Sequence, residues 1–297
     1  METVLKNAIK KQIEELKGIE FQSFIDKLYI KFYGDKFVPV KPKRDKGNDG
    51  ILHGNTVLAV YSPEKYELNK FKTKIENDYE IYAENWANKY PNWQVIFNGE
   101  WTAGMVEFVE ALKSDSQKVG IKHILEKIDG LNWGKRREIA DDLGVDDQFL
   151  IYDILTKVID DLLKRGDDNS TNKLENIPGK VKYIKEKIEL NYSSVDIEAA
   201  TDEYADCLRL FNRIKDIVQG YDDDDKGALK NKIRSGYNRF PSGNFKDKLE
   251  RLTELYAERH KNDDLYKFHV KVVLIYFFEQ CLIGEKTEEE RNAAASS

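Results

Sequence analysis

The residues best suited to chemistry are gathered in one stretch, Lys41 to Tyr66, which reads KPKRDKGNDGILHGNTVLAVYSPEKY. Asp49 stands between Gly47 and Gly50, whose missing Cβ atoms let the chain turn sharply. Its carboxylate is predicted at a bend between two short strands. On the strand that follows, Ala59 and Tyr61 are two residues apart and must share a face. Metal-dependent phosphodiesterases use such an arrangement: an acid at a strand bend and a second ligand on the next strand hold Mg²⁺ against a phosphate. A nearby cation then orients or activates the attacking water. Asn-Asp-Gly is also the strongest short hairpin signal, and spacing alone favours a plain turn.

Other chemistries find less support. The four histidines, His53, His123, His260 and His269, form no HExxH and no recognisable Ser-His-Asp pattern. A Walker A sequence and a dinucleotide glycine fingerprint are missing, which argues against nucleotide hydrolysis by this chain. Asp222 to Asp225 lacks the alternating spacing of an EF-hand and reads as a solvated loop. Cys207 and Cys281 lie in apolar helical patterns, which predicts buried thiols in a reducing compartment.

The elements that must position Asp49 follow from hydrophobic period. Helical spacing runs from Val4 to about Tyr33, with a break at Gly18. Short strands are predicted at Phe37–Val40, Gly50–Leu52, Thr56–Tyr61 and Trp93–Asn98, with a helix over Glu67–Tyr90 between the last two. After Gly104 almost every segment is helical in period, from Met105–Leu112 through Val119–Ile128, Lys135–Asp142, Gln148–Arg165 and Val181–Leu190. The series continues with Ile197–Val218, Gly227–Arg234, Asn244–Lys261 and Asp264–Ile283. The expected organisation is a small mixed α/β domain over residues 1–104 followed by an all-α helical domain over 105–297.

Composition sets the outer bounds. The 297 residues are 40% hydrophobic and 34% charged, which excludes a disordered tail, a collagen-like fibre and a disulfide scaffold. The N-terminus METVLKNAIKKQIEEL has charges throughout and no apolar core, so no signal peptide is expected. The most apolar run, Val270–Phe278, is about half the ~20 residues a membrane span requires. A cytoplasmic location follows as an expectation. The net charge of −6 discourages indiscriminate nucleic-acid binding. Lys31 to Lys46, however, carries Lys31, Lys36, Lys41, Lys43, Arg44 and Lys46 against Asp35 and Asp45, a local +4 that would attract phosphate. Trp86, Trp93 and Trp101 fit core positions better than base-stacking platforms.

GIEFQSFIDKLY (18–29), RDKGNDGIL (44–52) and TVLAVYSPEKY (56–66) together resemble the divergent PD-(D/E)xK nuclease-like domains of effectors in bacterial ABC-ATPase three-component systems, including the Lamassu type. Those families place a helix beginning G-x-x-F-[EQ] before a G-D-x-x-N-D-G turn and a strand [FY]-Q-V-Y-[AS]-P-E. The likeness covers residues 18–98, about a third of the chain. It implies a restriction-endonuclease-like domain that cleaves double-stranded DNA with Mg²⁺. Asp49 would be the principal metal carboxylate, Gln22 a metal-proximal group with Glu20 as substitute, and Asp45 would shape the turn. Lys41, Lys43, Arg44 and Lys46 are the expected DNA contacts. The implied partners are an SMC-like or ABC-type ATPase and a small third subunit, with activity switched on by release or homo-oligomerisation.

The chain departs from this pattern where the second ligand should stand. Position 59 is Ala where the family commonly has Gln, and position 61 is Tyr where simpler nucleases keep Lys. A methyl group cannot coordinate a metal. Three readings compete: natural degeneracy, with the domain kept for binding; transfer of the lost roles to Glu64, Lys65, Lys70, Lys72 or Lys74; and an engineered knock-out of a toxic nuclease. The intact LxVYSPE surroundings favour the third. The expected function is a defence effector with a DNA endonuclease impaired at Ala59. The competing class is a non-catalytic scaffold or sensor that binds the ATPase.

Overall fold

Phe21, Phe24, Ile25, Leu28 and Tyr29 recur at the helical period, and in the computed structural model they form the buried stripe of a helix. The structure describes residues 3–40, 47–165, 183–288 and 291–292. Among them are twelve α-helices and a five-stranded mixed sheet. The chain divides into two compact units, Met1–Leu150 and Ile151–Ser297.

The first unit opens with α1 (Thr3–Glu15) and α2 (Gly18–Tyr33), then β1 (Phe37–Pro39), β2 (Gly50–Leu52) and β3 (Thr56–Tyr61). These strands form an antiparallel meander. Helix α3 (Leu68–Asn85) crosses to β4 (Asn92–Phe97), which lies parallel to β3, with Ala59 opposite Val95. Helix α4 (Ala103–Leu112) repeats the crossover to β5 (Gln117–Val119), also parallel. Helices α5 (Ile121–Asp129) and α6 (Trp133–Asp142) complete the unit. The sheet order is β1-β2-β3-β4-β5. Strands β3 and β4 are covered on both faces along most of their length, which is why TVLAVY and NWQVIF read as continuous apolar runs rather than alternating ones.

One face carries a cluster of Val57, Ala59, Trp93, Val95 and Phe97 against Phe71, Ile75 and Tyr82 of α3 and Met105 and Val109 of α4. The other face belongs to α2. Gln94 alternates with Trp93 and Val95 and must point away from α3. The Tyr29 hydroxyl of α2 donates to Gln94 Oε1 at 3.0 Å, which fixes α2 on that opposite face. The start of α2 is tied to the strand ends: Gly18 N–H donates to the Ser62 carbonyl, and Ser62 Oγ and Asn98 Nδ2 both donate to the Leu16 carbonyl.

The second unit takes most of α7 (Asp147–Lys164), then α8 (Ile184–Asn191), α9 (Ile197–Gln219), α10 (Asp223–Asn238), α11 (Phe245–Tyr256) and α12 (Asp264–Glu279). Every residue from Val272 to Glu279 is buried, so α12 is the central helix, apolar around its whole circumference. The Tyr276, Phe277, Phe278 cluster lies in this core. Glu279 survives there because its carboxylate accepts from the Tyr204 hydroxyl at 2.6 Å.

Two local expectations need revision. The sheet-bearing unit runs to Leu150, beyond residue 104, because β5 and the helices around it belong with the sheet. Asp222 to Asp225 is a helix start rather than a loop. Asp222 caps α10 by accepting from Asp225 N–H at 2.8 Å, and Asp223, Asp224 and Asp225 fill the first turn, where the helix dipole favours acids.

Candidate functional site

Asp49 lies immediately before β2, as the turn chemistry predicts. The bend is held by the buried Asn48, whose Oδ1 accepts from Gly50 N–H at 3.0 Å. Gly47 has φ +70, and a Cβ there would press within 3.1 Å of Ile81 on α3, so both conformation and space select glycine. Asp49 N–H donates to the Leu58 carbonyl, and Asp49 Oδ2 accepts from Val60 N–H at 2.6 Å. The carboxylate thus occupies the place of a ladder carbonyl beside β3. Asp49→Ala is expected to cost about 1–2 kcal/mol in urea unfolding, since it leaves the Val60 N–H without this acceptor. An unchanged midpoint would show that water replaces the carboxylate freely.

Ala59 and Tyr61 do share a face, and it is the α3 face. Ala59 is 1% exposed and surrounded by the Phe71, Ile75 and Trp93 cluster. Position 59 is therefore a core position, where a longer polar side chain would meet aromatic rings instead of a metal. Tyr61 packs its ring against Phe71 and Phe97 with centroids 5.6 and 6.1 Å away. Burial pushes its hydroxyl above the ordinary tyrosine range, so it is neutral at pH 7 and cannot replace a lysine's charge.

Gln22 and the exposed Glu20 belong to α2, on the opposite side of the sheet from Ala59. The sequence-predicted set is thus divided between two faces. Of the alternative carriers, Glu64 and Lys65 are exposed, Lys70 pairs with Glu67, Lys72 lies over the Phe108 ring and Lys74 pairs with buried Asp78. Among the described residues no group of three or more His, Cys, Asp or Glu gathers at metal distance. Asp49 Oδ2 is engaged by the Val60 N–H, and position 59 faces a hydrocarbon core and supplies no second ligand beside it. Lys41, Lys43, Arg44, Asp45 and Lys46 lie outside the described residues. Of the other basic residues in that stretch, Lys31 is paired with Glu138 and Asp142 of α6, and Lys36 is exposed.

One group escaped the sequence reading. Asp26 lies one turn after Gln22 on α2, and its Oδ1 and Gln22 Nε2 are both buried without a hydrogen-bond partner. Desolvation raises the Asp26 carboxyl from 3.8 to about 6. The i, i+4 spacing of two polar residues beside an otherwise apolar stripe is the signal that could have found it. Folding makes protonation easier, so the folded chain holds more protons than the unfolded one between 3.8 and about 6, and stability falls as pH rises through that window. Asp26→Asn should flatten this slope and raise stability at pH 7 by about 1 kcal/mol, a figure already discounted for solvent screening of a half-buried group. Melting curves from pH 4 to pH 7 that keep the same slope in the variant would refute the assignment.

Taken with the sheet, these features define a mixed α/β unit with an acid at the β2 entrance and a polar stripe on α2, joined in sequence to a helical unit. Against protein-family models, curated proteins and solved structures, the chain shows no match. Among the described residues no helix is long and apolar enough to cross a membrane.

Proposed function

We propose that this chain is a nuclease-like subunit of a bacterial anti-phage defence complex that acts without cleaving DNA itself. Its α/β unit serves as a scaffold, and its helical unit docks an SMC-like or ABC-type ATPase in the cytoplasm. The resemblance over residues 18–98 supports the class. A single observation favours the non-catalytic form over a Mg²⁺-dependent endonuclease: the side chain at position 59, where the family's second ligand would stand, is sealed in the aromatic core between β3 and α3. With no hydrolytic step to support, Asp49 becomes a strand-pinning residue, and its link to Val60 is the work its carboxylate does.

The test uses the full chain co-expressed with the products of its neighbouring genes, among which an SMC-like or ABC-type ATPase is expected. Affinity capture should recover the ATPase, and supercoiled duplex DNA should stay intact with Mg²⁺ or Mn²⁺ and ATP. DNA cleavage that disappears in Asp49→Ala would overturn the scaffold reading in favour of the endonuclease. Failure to capture the ATPase would overturn the docking role.

A further inference from the structure

Within the helical unit, α9, α10 and the end of α12 line a half-open cavity of about 240 Å³. Three lysines line it: Lys215 from α9, and Lys226 and Lys230 from α10. Lys226 pairs with the fully exposed Asp223 at 3.2 Å. Lys215 and Lys230 have no ion-pair partner among the described residues. The acids at the start of α10 offset part of the Lys226 charge, but none of them lies within ion-pair distance of Lys215 or Lys230. The floor is the opposite in character, made of Tyr276, Phe277 and Leu282, with the Gln280 amide at its edge.

Two unpaired lysines and a third that is partly offset by Asp223 line one concave apolar surface and give it a local positive potential that attracts an anion. Lysine meets phosphate as a mobile point charge, and a phosphomonoester carries close to two negative charges at neutral pH. A single carboxylate would balance only one of the two unpaired lysines. The volume equals that of about eight waters and falls just below the usual range for drug-sized ligands. It suits a phosphate with one ring or a short apolar body.

We infer that this cavity is a binding site for a small phosphomonoester, its phosphate held by Lys215, Lys226 and Lys230 and its apolar body lying against Tyr276 and Leu282. The inference stands independently of the nuclease resemblance, which does not reach these helices.

Phenyl phosphate is a suitable probe, titrated calorimetrically into the full chain at low ionic strength. Binding on the order of 1 mM or tighter is expected for a ligand of this size. Lys215→Gln and Lys230→Gln should each weaken it roughly fivefold and the double variant more than tenfold, with unchanged melting temperatures because Lys215 is exposed, Lys230 is only half-buried and neither is in an ion pair among the described residues. Inorganic phosphate should bind more weakly than phenyl phosphate by about tenfold, the contribution of the apolar floor. No heat of binding at 10 mM phenyl phosphate, on the order of ten times the expected constant, would overturn the site. Binding unchanged in the double variant, or equal affinity for inorganic phosphate, would likewise overturn it.

Discussion

Ala59→Gln is expected to destabilise the chain by about 3 kcal/mol or more and to confer no nuclease activity. The substitution adds four heavy atoms to a side chain that is 1% exposed and lies opposite Val95 in a parallel pair. Around it stand Phe71, Ile75 and Trp93, of which only the Trp93 indole N–H, itself buried without a partner, could donate to the amide oxygen, and none accepts from the amide N–H₂. Overpacking costs about 1–3 kcal/mol and an unsatisfied buried amide about as much again. For a chain of this size the loss corresponds to a fall of several degrees in melting temperature, on the order of 6–10 °C. Ala59→Ser, nearly isosteric, should cost only about 1 kcal/mol and separates the polar contribution from the steric one. If Ala59→Gln melts with the wild type, its side chain has found a polar exit from the core, and position 59 returns as a candidate ligand. The same outcome would remove the main support for a non-catalytic subunit.

That dependence shows where the sequence was informative and where it was not. The bounds of β2 and β3 and the start of α12 follow from β-branched runs, Ser62-Pro63 and the Asp263 cap, all of them local signals. The pairing of positions 59 and 61 on one face is equally local, since it needs only the two-residue repeat of a strand. Which face they share is not local. TVLAVY is apolar on both sides, so the run carries no mark that distinguishes the α2 side from the α3 side. That choice is made by register with β4 and by the aromatic stripe of α3. Strand β5 escapes the sequence reading for a related reason: Gln117 and Lys118 remain at least partly exposed, and only pairing with Gln94, Val95 and Ile96 of β4 draws the segment into the sheet. Asp26 was overlooked because a carboxylate two turns into a helix normally signals solvent, and only packing shows its oxygen to be cut off from water.

In the helical unit the largest effect is expected at a glycine that the sequence presents as an ordinary helix weakness. Gly236 lies near the end of α10, where it is buried against α11. A Cβ at this position would overlap the Tyr256 hydroxyl and come within 3.0 Å of both Tyr256 Cζ and Leu252 Cδ1. The Tyr256 hydroxyl cannot simply swing away, because it donates to the Lys232 carbonyl at 2.7 Å and so joins the two helices. In a solvent-facing helix Gly→Ala would be stabilising by about 1 kcal/mol. Here the overlap and the lost hydrogen bond should outweigh that gain and leave a net loss of about 2 kcal/mol. Tyr256→Phe alone removes the hydroxyl and should cost about 1 kcal/mol. In that background Gly236→Ala should cost clearly less, because the hydroxyl it overlaps is gone and only the 3.0 Å approaches to Cζ and Leu252 Cδ1 remain. The double-mutant cycle should therefore show a coupling of at least about 1 kcal/mol in the relieving direction. Additive effects in urea unfolding would mean that α10 and α11 are not held at this distance by the Tyr256 contact.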